Sequence, residues 1–110
     1  MIEVTFADDA LKELYETGKT KDRRYKAICK KQKIVDGFVN AVNLMKGLNK
    51  AEDLAVYSYL HYEKLKHNYS GQSSVRLCHG CVERLLFTEN EGGIKVELIK
   101  IDETHYGKKK

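Results

Sequence analysis

Apolar and polar positions alternate along Ile2-Glu3-Val4-Thr5-Phe6, which is the period of a strand with one buried face. The period then changes. Ala10, Leu11, Leu14 and Tyr15 recur at helical spacing behind Asp8 or Asp9 as an N-cap, and Gly18 supplies the stop. Thr17 to Asp22 is a polar connector. From Arg23 to about Met45, Tyr25, Ile28, Val35, Val39 and Val42 form one stripe, flanked by Phe38 and Met45. Arg23, Lys26, Lys30 and Lys33 fall together on another side, so the spacing predicts one long amphipathic helix with a basic row in solvent. Gly47 ends it.

Beyond Gly47, residues 50–54 read as a connector with one helical turn, and the pattern then favours extended structure. Tyr57, Tyr59, the segment around Leu65, Ser74 to Cys78, Val82 to Thr88 and Ile94 to Ile101 are the candidate strands. Asn68 to Ser73 and Asn90-Glu91-Gly92-Gly93 punctuate them, and His79-Gly80 reads as a tight hairpin turn. The order predicts an α+β domain: an N-terminal strand and two helices packed on one face of a mostly antiparallel sheet of four to five strands. Residues 1–107 are expected to form one domain, with 108–110 as a basic tail.

Length and charge narrow the picture. A chain of 110 residues with 42% apolar positions suits one small core. Apolar runs of a few residues are far below the roughly 20 that cross a bilayer, and the N-terminus does not resemble a secretion signal, so a soluble, cytoplasmic protein without membrane contact is expected. Net charge is +4, but its distribution matters more. Lys19, Lys21, Arg23, Arg24, Lys26, Lys30, Lys31 and Lys33 crowd one segment against Asp22 alone, and Lys108, Lys109 and Lys110 close the chain. A basic patch on an otherwise acidic molecule attracts a polyanion from one side.

Two groups of residues carry candidate chemistry. Cys78-His79-Gly80-Cys81 spaces two thiols for zinc or dithiol chemistry. It is a single pair flanking a predicted turn, which favours cross-strand neighbours over a metal site, and no metal or other cofactor is expected. Three cysteines in all also suit a reducing compartment. The second group lies late in the chain: Lys64 and Lys66, Arg76 and Arg84 on consecutive strands, and Asp102, His105 and Tyr106. Cleavage of RNA by its own 2′-OH requires a base, an acid and a cation for the developing phosphorane charge, and these residue types supply all three. Strict alternation along Val82 to Phe87 puts Arg84 with Val82 and Leu86 on one face, and Leu85 with Phe87 on the other. An arginine sharing its face with apolar residues fits a functional groove or a salt bridge to Glu83 or Glu97.

The order of these words resembles the RelE/ParE superfamily of bacterial toxins, and within it the HigB-like host-inhibition branch. Ala51-Glu52-Asp53-Leu54, Leu60-His61 and Leu65-Lys66 are similar to the family's acidic-Leu, Leu-His and Leu-Lys words. Val75-Arg76-Leu77, Arg84-Leu85-Leu86-Phe87 and Ile101 to Tyr106 are similar to its two arginine strands and its terminal Asp-aromatic-His element. The resemblance implies a RelE-like fold and the toxin of a type II toxin–antitoxin system. It implies an endoribonuclease, or mRNA interferase, that cuts ribosome-bound mRNA without a metal and is neutralised by a cognate, HigA-like helix-turn-helix antitoxin. On that resemblance His105 is the proton-transfer residue, Asp102 orients or assists it, and Arg84 stabilises the phosphate. Lys66 or Lys64 lies near the scissile phosphate, Tyr106 positions substrate or moves a proton, and Arg76 with the helical Arg23, Lys26, Lys30 and Lys33 meets RNA. The alternatives are a ParE-like inhibitor of a protein such as DNA gyrase, which lacks a nuclease centre, and a small basic RNA-binding module.

Overall fold

The computed structural model describes residues 1–65, 71–78 and 80–103. Five strands form one sheet: β1 (Glu3–Phe6), β2 (Glu63–Lys64), β3 (Gln72–Arg76), β4 (Arg84–Asn90) and β5 (Lys95–Asp102). Their order is β1-β5-β4-β3-β2, with β1 parallel to β5 and the other neighbours antiparallel. Helices α1 (Asp9–Thr17), α2 (Lys26–Cys29) and α3 (Gln32–Gly47) lie between β1 and β2 in the chain. The expected α+β architecture is therefore present, with a five-stranded mixed sheet. No helix among the described residues is long and apolar enough to cross a membrane.

The early elements form where the pattern places them. Asp8 caps α1 by accepting from the Leu11 amide at 2.9 Å, and Gly18, at φ 80°, closes it by donating to the Leu14 carbonyl at 2.8 Å. Leu11 and Leu14 are buried against Tyr25, Ile28, Val35, Phe38, Val42 and Met45. The strand side of this core comes from Val75, Leu85, Phe87, Val96, Leu98 and Ile101. Gly37 lets α3 touch the start of the β3–β4 connection: a Cβ there would fall 1.7 Å from the Leu77 carbonyl oxygen.

Three expectations are corrected. The single helix from Arg23 to Met45 is instead a 3₁₀ turn (Arg23–Tyr25), α2 and α3, with Lys31 extended at φ −110°, ψ 90°. The stripe fails there: three and four residues beyond buried Ile28 stand Lys31 and Gln32, both exposed, so nothing holds that turn to the core. Tyr57 and Tyr59 do not form a strand, since Ser58–Leu60 is a 3₁₀ turn that buries Leu60. His79-Gly80 is not a two-residue hairpin. The β3–β4 connection runs from 77 to 83, and Val82 lies outside the strand and 48% exposed.

One irregularity in β5 decides what faces where. Lys100 pairs with Leu86, but Phe87 pairs with Leu98, so Ile99 is an extra residue, a β-bulge. Val96 and Leu98 alternate into the core up to that point, and Ile101 resumes beyond it. The bulge thereby turns Asp102 to the face away from the helices.

Candidate active site

On the face of the sheet opposite the helices, Arg76, Arg84 and Asp102 lie side by side on β3, β4 and β5, because Arg84 is the register partner of both others. Directly opposed side chains on adjacent strands have Cβ atoms about 5 Å apart. Alternation, which sends Val75, Leu85 and Ile101 inward, sends these three outward. They are nevertheless shielded: Arg84 is 8% exposed and Asp102 4%. Arg76 is half-buried, and its Nε is a buried donor without a hydrogen-bond partner among the described residues. A buried donor left unsatisfied costs about 1–3 kcal/mol, a penalty that a bound anion removes.

Two residues back along β3, Ser74 pairs with Glu63 of β2, which puts the exposed Glu63 carboxylate on the same face as Arg76 and Arg84. Sequence reasoning missed it. No local pattern marks it, because β2 is only two residues long and its face is set by pairing with β3. Lys64 is placed elsewhere. It pairs with Ser73, and its Nζ lies 4.0 Å from Glu89 on the helix side of the sheet. There Glu89 accepts from Ser73 Oγ at 2.7 Å and from the Tyr62 hydroxyl. Burial, reinforced by that carboxylate, raises the Tyr62 phenol well above the usual tyrosine range.

The basic helical residues are borne on the other layer. Arg23, Lys26, Lys30 and Lys33 are all exposed and make no ion pair among the described residues. Arg24, by contrast, is held by Asp8 at 3.1 Å and by Asp22 at 2.9 Å. Its guanidinium holds the Asp22 carboxyl down at about 2. These exposed cations are carried by the 3₁₀ turn, α2, the residue after it and α3, on different elements from the strand-borne arginines.

Lys66, His105 and Tyr106 lie outside the described residues, as do His79 and the tail Lys108 to Lys110. In sequence, Lys66 follows Leu65 directly, and His105 and Tyr106 follow Asp102 by three and four positions. No group of three or more His, Cys, Asp and Glu among the described residues forms a metal-binding cluster.

The architecture is that of the RelE/YoeB-type toxin fold. A crystal structure of the heterotetrameric YoeB–YefM toxin–antitoxin complex from Staphylococcus aureus matches with a TM-score of 0.52 and 22% identity, over 96% of this chain and 99% of that one. The YoeB dimer from the same organism matches with a TM-score of 0.50 and 19% identity, over 96% and 98%. No protein-family model and no curated protein matches the sequence. The expected RelE-like fold is thus present, and the likeness is to YoeB structures.

Proposed function

We propose that this chain is the toxin of a type II toxin–antitoxin pair and acts as an endoribonuclease on ribosome-bound mRNA. The observation that carries the reading is the sheet face on which Arg76, Arg84 and Asp102 are register neighbours and Arg76 Nε has no partner among the described residues. Two guanidinium groups side by side, one buried beside the Asp102 carboxylate and one half-buried, carry more positive charge than that carboxylate offsets, and desolvating it is costly. A bound phosphodiester gives Arg76 Nε an acceptor and meets the positive charge of the row.

In the reaction the 2′-oxygen forms a bond to phosphorus and the bond to the 5′-oxygen breaks, leaving a cyclic phosphate and a free 5′-hydroxyl. The 2′-OH proton goes to a base, and the departing 5′-oxygen takes one from an acid. Arg84 and Arg76 answer the extra charge of the phosphorane between these events. Glu63, on the same face, is suited to accept the first proton. His105, close behind Asp102 in sequence, is suited to deliver the second, with Tyr106 and Lys66 contributing proton transfer and positioning. Base, acid and cations complete the cycle from protein groups alone. Arg23, Lys26, Lys30 and Lys33 would hold ribosomal RNA phosphates, a contact that weakens steeply with salt.

The YoeB–YefM complex supports a protein antitoxin as partner, and the HigB-like resemblance in the sequence favours one with a helix-turn-helix. The test is induced expression of wild type, His105→Ala and Arg84→Ala with primer extension on ribosome-bound messages. New 5′ ends should appear with wild type and fall about a hundredfold or more in each variant. Growth arrest without new 5′ ends would overturn the nuclease reading, and loss of gyrase supercoiling in the same cells would replace it with inhibition of that enzyme.

A further inference from the structure

The loop from 77 to 83 joins the strand ends that carry Arg76 and Arg84, and the proposed reaction uses neither of its cysteines. They are not cross-strand partners, as the turn pattern suggested, but loop neighbours folded onto one another. The Cys78 amide donates to Cys81 Sγ at 3.1 Å, and the Cys81 thiol donates back to the Cys78 carbonyl at 3.0 Å and towards the Glu83 carbonyl at 3.7 Å. Both side chains line an open cavity of about 330 Å³ whose other walls include Lys31, Lys33, Ile34 and Glu83, the last paired with Lys31 at 2.8 Å. The charges of Lys31 and Lys33 act on the two sulfurs, Lys31 on Cys81 and Lys33 on Cys78. Cys29 does not line this cavity; its thiol is turned to the Thr20 carbonyl at 3.6 Å.

A tight loop, two adjacent thiols, space beside them and ammonium groups around that space are the parts of a thiol–disulfide exchange site. We propose that Cys78 and Cys81 are a reactive dithiol that closes to a disulfide by exchange with an anionic low-molecular-weight disulfide, admitted through the cavity walled by Lys31 and Lys33. A dithiol needs no third ligand, and among the described residues none joins the pair to make a metal site.

The chemistry runs in two exchanges. The Cys81 thiolate attacks one sulfur of the incoming disulfide; that S–S bond breaks, a mixed disulfide forms on Cys81 and one small thiolate leaves. The Cys78 thiolate then attacks the Cys81 sulfur, the mixed disulfide breaks and the second small thiolate leaves. The two protein protons end on the two released thiols, and the two electrons lost by the cysteines reduce the reagent. Attack is assigned to Cys81, whose sulfur accepts the Cys78 amide at 3.1 Å, while burial, with Cys81 beside it, pushes the Cys78 thiol up to about 11. Lys31 is already paired with Glu83 at 2.8 Å, so Lys33 is the ammonium that meets the negative groups of the small thiol, and the cavity gives that thiol room during the mixed-disulfide stage.

The reduced native protein is incubated with glutathione disulfide and followed by intact mass and peptide mapping. The expected product has lost two hydrogens and links Cys78 to Cys81. Cys78→Ser should accumulate a stable glutathione adduct on Cys81, and Cys29→Ser should behave as wild type. Cystamine, a disulfide of opposite charge, should react several-fold more slowly than glutathione disulfide, and Lys33→Gln or added salt should narrow that ratio. Free thiols at both positions under excess glutathione disulfide, or an adduct at Cys29 in their place, would overturn the dithiol. Equal rates with the two reagents would overturn the anion-selecting cavity. None of these readouts involves RNA, so the outcome is independent of the nuclease reading.

Discussion

The two faces of the sheet are built from the same strands, one residue out of phase, and have opposite chemistry. Val75, Leu85 and Ile101 are register neighbours across β3, β4 and β5 on the helix side, where they join a continuous apolar core. Shifted by one position, Arg76, Arg84 and Asp102 are register neighbours on the other side. The first row is held by burial of apolar area, at roughly 25 cal/mol per Å². The second concentrates charge that water would solvate better. On the proposed nuclease reading, the charged face is the one that meets RNA. The comparison also gives the Ile99 bulge its meaning. Without the extra residue, Leu98 and Asp102 would share a face, and the carboxylate would point into the core.

The largest effect should come from the helix side. Phe87 is fully buried and its ring stacks on Tyr62. Phe87→Ala is expected to destabilise the fold by about 4 kcal/mol, read as a fall in the urea midpoint with the slope unchanged. A fall of less than about 1 kcal/mol would mean that this face is not where the stability resides. Close behind comes Gly37→Ala. The nearest atom to its new methyl would be backbone, the Leu77 carbonyl oxygen, so α3 and the start of the β3–β4 connection must separate at a cost of about 3 kcal/mol. An unchanged midpoint would show that the helix does not pack as closely as described.

Much of the core side was legible in the sequence because its signals are local. The Asp8 cap, the Gly18 stop, the α3 stripe and the alternation that separates Arg84 and Leu86 from Leu85 and Phe87 are each set within a few residues. What escaped depends on partners distant in the chain. The break at Lys31 follows a gap in the stripe, but it is also the point where the Lys31 ammonium reaches the Glu83 carboxylate, 2.8 Å away and 52 positions on. The Ile99 bulge is set by pairing with β4, and nothing in Glu97 to Ile101 announces an extra residue. Glu63 becomes a candidate only when β2 is known to pair with β3, since a two-residue strand has no periodicity to read. Arg76, Arg84 and Asp102 were legible as residue types and become neighbours through register.

The smallest strand gives the sharpest division between the faces. Glu63 and Lys64 are adjacent, both exposed and opposite in direction. On the proposed nuclease reading, Glu63→Gln should lower single-turnover cleavage of ribosome-bound message about a hundredfold with no change in the urea midpoint. Lys64→Gln should leave cleavage within about twofold, because its partner is Glu89 on the far side. Equal losses in the two variants would dissolve the distinction between faces at this edge of the sheet.

The ion pair at the end of β4 tests whether charge on the core side behaves differently from charge on the groove side. Glu83 is buried and its carboxylate meets Lys31 at 2.8 Å, the lysine side chain being half exposed. Burial alone would raise the Glu83 pKa; the Lys31 ammonium and the backbone donor overcome it and hold the carboxyl below its ordinary range. A pKa lowered in the folded state stabilises the protein above the unfolded value, about 4.3 for glutamate, and that contribution is lost as pH falls through the folded value. The wild type should therefore lose stability on acidification below about pH 4 through this group. In Lys31→Gln the desolvated carboxylate has no counter-charge, its pKa moves above the unfolded value, and the sign reverses: the variant is penalised at neutral pH and relieved when Glu83 takes a proton. Urea midpoints of the two proteins should differ most at pH 7 and converge below about pH 4. A difference that stays constant with pH would mean that Lys31 contributes packing and not charge, and that the carboxylate is already satisfied by the backbone.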